Sequence, residues 1–255
     1  MPTRETQLRT LTRMLNERPG KLREILAEHR PSLLSQIERD AADPGLFAAW
    51  GHSSNIDAGA KTTVVEPDLL AELSDLAGQS FDRENNVANA GLLHTYGYLL
   101  SNVETPFGFK RARWTDGVLD RGIGFPRGFL SAKPRNGSLL SNLTKAFRGI
   151  DSGGRTGFKL TQTMPEPGVT LTTTLINFEP KPSDQKADSA GLFYTYELAG
   201  TEYFITAFPV GGWMSGKIRK SAKRPEGQIQ SRYNAVIPEL RGRAWQGTNE
   251  LTEFS

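Results

Sequence analysis

The sequence predicts an α+β fold in which an N-terminal helical block is followed by a mainly antiparallel β-sheet or partial β-barrel. Leucine and isoleucine recur at helical spacing through the first 80 residues, as in Leu8, Leu11 and Leu15. After about residue 90, Thr, Tyr, Phe and Val become frequent, which favours strands. Turns rather than helices separate these strands, which favours antiparallel pairing.

Proline and glycine divide the helical block. Pro44-Gly45 is predicted to end the first group of helices. Gly51–Thr63 is rich in Gly, Ser, Asn and Ala and is predicted to be a loop. Pro67 then begins another helix, and Gly78 is its expected C-terminal cap.

Two hairpins are the clearest β signals. Gly157–Met164 and Val169–Phe178 are joined by a Pro-Glu-Pro-Gly turn. Leu192–Leu198 and Glu202–Val210 flank Ala-Gly-Thr and carry aromatic and β-branched residues on both arms. We therefore expect a helical part over residues 1–80 and a β-rich part over residues 81–255, which could also form one continuous domain.

Gly91–Val103 fits two structures. A helix would place His94 and Tyr98 on one face and Tyr96 on another. A strand would place all three of these side chains on one side. Two glycines and two tyrosines in so short a stretch weaken the helix, so we favour a strand.

Composition excludes several classes of protein. The chain has no cysteine, which excludes disulfides, thiolate nucleophiles and cysteine-based metal sites. With three histidines and no supporting carboxylate spacing, we predict no metal-ligating residues, but a metal site built from remote carboxylates stays open and the cofactor is unknown. Apolar runs are too short for a membrane span or a signal peptide, so we expect a soluble, cytoplasmic protein without a membrane partner. The oligomeric state stays open.

Positive charge is concentrated in two segments, although the net charge of the chain is only +3. Residues 105–136 contain seven Lys or Arg and two acids, and residues 217–224 contain five Lys or Arg and no acid. Such segments indicate either an anionic ligand or ordinary solvated surface.

The first basic segment has the composition of an anion-binding pocket. Its cations alternate with rings, and guanidinium groups bind carboxylate or phosphate while rings stack on planar groups. Its glycine-rich part, RGIGFPRG, could form an anion-binding nest of backbone N–H groups. The predicted substrate-binding residues are Phe109, Lys110, Arg111, Arg113, Trp114, Arg121 and Arg127.

His94 lies in an apolar, aromatic context beside Tyr98, and we predict these two as catalytic residues that move a proton. The sequence therefore favours an enzyme that acts on a small anionic substrate, carboxylated or phosphorylated. The alternative is a nucleic-acid-binding protein or nuclease that uses both basic segments. A further alternative is a non-catalytic module that binds a partner.

Overall fold

The computed structural model describes residues 4–57, 61–105, 108–111, 136–150, 155–177, 190–211, 213–223, 232–244 and 246–254. Helices precede the main sheet along the chain, and the neighbouring strands of each sheet run antiparallel. The structure thus confirms the predicted α+β class.

The N-terminal block is helical, as predicted. Its helices are α1 (Arg4–Glu17), α2 (Leu22–His29), α3 (Pro31–Ala41), α4 (Pro44–Ala48) and α5 (Pro67–Leu76). Leu8, Leu11 and Leu15 are buried on one face of α1. Pro67 begins α5, and Gly78 follows this helix with φ +63°, the left-handed conformation expected of a glycine cap.

Two local predictions in this block are wrong. Pro44-Gly45 begins α4 instead of ending the helices, because the Asp43 side chain accepts a hydrogen bond from the Leu46 N–H and caps the helix. The predicted loop Gly51–Thr63 contains β1 (His52–Ser54), β2 (Ile56–Asp57) and β3 (Thr62–Thr63). β1 pairs with two sequence-distant strands, which local composition does not reveal.

β1 lies inside a small antiparallel sheet. In the described part of the chain its order is β12 (Ala235–Val236), β1, β5 (Val87–Asn89) and β4 (Phe81–Asp82). Ser53 is the central residue of β1, opposite Ala235 on one side and Ala88 on the other, and its side chain is fully buried.

The segment after β5 is helical, so the preferred strand prediction for Gly91–Val103 is wrong. α6 (Ala90–Leu92) continues into a π-helical turn (Leu93–Gly97) and α7 (Tyr98–Leu100). The Asn89 side chain caps α6 by accepting from the Leu92 N–H at 3.2 Å. Every residue from Ala90 to Leu100 is buried, and burial on every side outweighs the weak helix propensity of the glycines and tyrosines.

The main sheet contains both predicted hairpins. In the described residues its order is β11 (Thr201–Val210), β10 (Ala190–Leu198), β9 (Val169–Asn177), β8 (Gly157–Met164) and β13 (Thr248–Phe254). These strands form an open sheet rather than a barrel. A short hairpin, β6 (Glu104–Thr105) with β7 (Gly108–Phe109), precedes it.

Two further helices flank the sheets, α8 (Leu139–Arg148) and α9 (Trp213–Lys223). α8 contributes Phe147, whose ring stacks on Phe204 of β11 at a centroid distance of 4.7 Å. Trp50 packs edge-on against both rings, and a short parallel bridge joins it to Phe204. The chain segment that leads into β1 is therefore fixed against β11. Among the described residues, each helix is too short or too polar to cross a membrane.

Candidate functional site

A histidine and a serine meet where the small sheet, the π-helical turn and β11 converge. His94, in the π-helical turn, has its Nε2 atom 3.1 Å from Ser53 Oγ. Its Nδ1 atom lies 2.5 Å from the carbonyl oxygen of Ile205. A carbonyl oxygen only accepts hydrogen bonds, so Nδ1 carries a proton and donates it. The Ile205 carbonyl therefore fixes the orientation of the imidazole.

The serine hydroxyl has two acceptors within reach. Ser53 Oγ lies 3.0 Å from the carbonyl oxygen of Asn234 and 3.1 Å from Nε2 of His94. With an imidazolium ring, Nε2–H donates to Oγ and the hydroxyl donates to Asn234. With the neutral ring, the single hydroxyl proton is divided between the carbonyl and Nε2. The Ser53 hydroxyl thus has two possible states of hydrogen bonding, and we call the Ile205–His94–Ser53–Asn234 chain of hydrogen bonds the relay.

The backbone beside this relay has an uncommon conformation. Tyr233 and Asn234 have φ values of +55° and +64°, in the left-handed region. Asparagine adopts this region several times more often than most residues, whereas a bulky tyrosine there is an outlier. The Tyr233 ring packs edge-on against Tyr194 at a centroid distance of 4.9 Å. Strained backbone and π-helical turns both recur at functional sites.

The other predicted catalytic residue lies against the same histidine. Tyr98 and His94 have ring centroids 4.9 Å apart, and both side chains are buried. His94 and Tyr98 therefore share one face of the helix, as the helical alternative for this segment predicts, and Tyr96 lies on another face. The Tyr96 hydroxyl donates to Asp40 Oδ2 of α3 at 2.5 Å, so it anchors the helix to the N-terminal block.

Lys110 and Arg111 are enclosed by the protein. Lys110 Nζ lies 3.2 Å from Asp57 Oδ2 of β2, and this ion pair is largely buried. Arg111 Nη1 donates to the Ser101 carbonyl oxygen at 2.9 Å, and its guanidinium carbon lies 4.0 Å above the centre of the Phe109 ring. Both contacts are made with segments that come after the relay residues in the chain. β2 follows β1, which carries Ser53, and Ser101 follows α7.

The remaining predicted ligands lie outside the described residues. They are Arg113, Trp114, Arg121 and Arg127. The structure therefore groups His94 with Tyr98, and Phe109 with Lys110 and Arg111.

Sequence reasoning missed Ser53 and Asn234. Ser53 is one of several small polar residues in a stretch that resembles a loop, and Asn234 is 181 residues away along the chain. The pairing of β1 with β12 brings these two residues together, and no local sequence pattern indicates that pairing.

Among the described residues, no group of three or more His, Asp or Glu side chains is placed to hold a metal ion. No protein-family model matches the chain, and neither a curated protein nor a solved structure is significantly similar to it.

Proposed function

We propose that the protein is an enzyme that acts on a small anionic substrate, carboxylated or phosphorylated, and that His94 moves a proton in its reaction through Ser53. The observation that carries this proposal is the fixed imidazole, which has Nδ1 held by Ile205 and Nε2 at 3.1 Å from the Ser53 hydroxyl. General bases are commonly oriented in this way, with one ring nitrogen anchored and the other facing a hydroxyl.

The contacts of Lys110 and Arg111 join the predicted anion ligands to chain segments that follow Ser53 and His94 in the sequence. Lys110 forms an ion pair with Asp57 of β2, and Arg111 donates a hydrogen bond to Ser101, the residue after α7. A substrate anion would replace the Asp57 carboxylate as the ligand of Lys110. Arg113, Arg121 and Arg127 stay predicted ligands of the same anion, and Trp114 a predicted stacking residue.

Thermal denaturation with a panel of carboxylated and phosphorylated small molecules tests the binding part. A substrate present at 100 times its Kd stabilises the folded state by about 2.7 kcal/mol and raises the Tm. We expect Lys110→Gln to reduce this shift. A panel in which no anion raises the Tm would argue for the non-catalytic alternative.

Turnover of each stabilising ligand, followed by NMR, tests the catalytic part. We expect His94→Gln to reduce the rate about 10²- to 10⁴-fold while the ligand still raises the Tm. Ser53→Ala is also expected to reduce the rate. His52→Gln is the matched control, because His52 is the exposed neighbour of Ser53 on β1 and is expected to keep full activity. Undiminished turnover in His94→Gln would refute the proposed role.

A further inference from the structure

α9 presents one packed face and one solvent face. Ile218 is buried, and Met214 and Ala222 pack against the core beside it. The Asn249 side chain of β13 donates to the Ala222 carbonyl oxygen at 3.1 Å, which fixes the end of the helix. The apolar stripe of α9 is thus already used for attachment to the sheet.

The solvent face of α9 carries one indole ring and three ammonium groups. Its exposed residues recur at three- and four-residue intervals and are Trp213, Gly216, Lys217, Lys220 and Lys223. The Trp213 side chain is 58% exposed, and Lys217 Nζ lies 5.6 Å from its ring centre. The helix contains no acidic residue, so no carboxylate of α9 neutralises the three lysines.

Among the described residues, the acids of the adjoining strand β13 do not offset this charge. Arg219 lies at the edge of the packed face, where its guanidinium covers the Phe158 ring and forms an ion pair with Glu253 of β13 at 2.6 Å. Glu253 is therefore already neutralised. Glu250 lies on the opposite face of β13, because side chains alternate along a strand.

We propose that the solvent face of α9 binds single-stranded nucleic acid, with a base stacked on Trp213 and backbone phosphates on Lys217, Lys220 and Lys223. The helix from Trp213 to Lys223 is about 15 Å long, so its lysines form a line of positive charge. An exposed ring beside such a line is the combination that single-strand binders use, and it needs no particular base sequence.

A membrane surface fits this face less well. A helix that lies in the lipid interface buries a broad apolar face, whereas Met214, Ile218 and Ala222 are already packed on the protein. Within Trp213–Lys223, Trp213 is then the one large apolar side chain left for insertion. Charge complementarity and the single stacking ring therefore favour a polyanion with planar groups.

Fluorescence anisotropy with labelled oligothymidylate and oligouridylate at two salt concentrations tests the proposal. We expect the triple variant Lys217→Gln/Lys220→Gln/Lys223→Gln to weaken binding at least tenfold and to reduce the slope of log K against log salt by about 2, since each phosphate contact contributes about 0.7. Trp213→Ala is expected to weaken binding about 5- to 150-fold with an unchanged slope.

A matched triple variant removes the same charge elsewhere. Arg9, Arg18 and Lys145 are exposed, and their replacement by Gln is expected to leave both affinity and slope nearly unchanged. Equal losses in the two triple variants would overturn the proposal, because they would reflect net charge alone. It would also be overturned if the wild-type protein binds no oligonucleotide at low salt, or binds only vesicles with anionic lipids. None of these outcomes depends on His94.

Discussion

Asp40 is a carboxylate that the fold buries between α3 and the continuous helix of α6, the π-helical turn and α7, which we call the central helix. Desolvation raises its pKa above the usual value of 3.8, and hydrogen bonds from Ser138 and Tyr96 partly oppose this rise. Burial also raises the pKa of Tyr96 well above its usual value, with the Asp40 charge adding to the effect. The folded state thus binds the Asp40 proton more tightly than the unfolded state does, and stability is lost as pH rises from about 4 through the folded pKa.

Tyr96→Phe tests this account at the scale of one residue. The variant removes a hydrogen bond to a charged acceptor, so we expect a loss of about 1.5–3 kcal/mol in the free energy of unfolding at neutral pH. Removing the donor raises the Asp40 pKa further, so the loss is expected to be smaller at about pH 4.5. Urea denaturation at the two pH values measures both.

Tyr203→Phe serves as the control for that measurement, because Tyr203 is only half-buried and stacks on Tyr196. Its replacement is expected to change stability by less than about 0.5 kcal/mol at either pH. An equal loss at both pH values in Tyr96→Phe would show that the ionised carboxylate is not the group affected.

In the central helix, helix propensity and side-chain packing favour different residues at position 91. Gly91 lies in α6, where alanine would raise helix propensity, yet a Cβ atom there would lie 2.7 Å from Trp50 Cγ and 3.0 Å from Leu140 Cδ1. Trp50 cannot easily move, because its Nε1 donates to Thr144 Oγ1 at 2.9 Å and its ring is packed between aromatic neighbours. The close contact with Trp50 requires a glycine.

Two glycine-to-alanine variants separate the effect of packing from that of helix propensity. Gly91→Ala is expected to lower the free energy of unfolding by about 1–3 kcal/mol through overpacking. Gly216→Ala in α9 is expected to raise it by about 0.5–1 kcal/mol, since a Cβ there meets no atom within 4 Å and helix propensity alone acts. Urea denaturation compares them, and a stabilised Gly91→Ala variant would show that Trp50 rearranges freely.

Across the whole molecule, buried side chains from the N-terminal helices and from the main sheet belong to one hydrophobic cluster. The Trp50–Phe204 bridge and the Ile205–His94–Ser53 chain of hydrogen bonds join residues on both sides of position 80. Such continuity favours one cooperative unfolding unit rather than two independent domains.

We therefore expect a single thermal transition, with the same midpoint by far-UV circular dichroism and by tryptophan fluorescence. Phe204→Ala should lower the free energy of unfolding by about 3–5 kcal/mol and shift both signals together. Leu251→Ala, at a 36% exposed position on β13, should have a much smaller effect. Two separate transitions would instead support a domain boundary near residue 80.

Much of the fold could be predicted because its signals are local. The stripe of Leu8, Leu11 and Leu15 and the start of α5 at Pro67 depend on spacing and on proline geometry. Both hairpins of the main sheet carry their own turn residues and β-branched arms. The strands of the small sheet could not be predicted, because their partners lie far away in the sequence and their composition is that of a loop.

The candidate site divides in the same way. The sequence by itself determined His94 and Tyr98 as residues of interest, because they are polar groups in an apolar segment, and it determined where the cations lie. Only the tertiary structure decided that this segment is a helix and that its histidine faces Ser53. Helix or strand was decided there by complete burial, which depends on the elements packed around the segment and outweighs the propensity of its own residues.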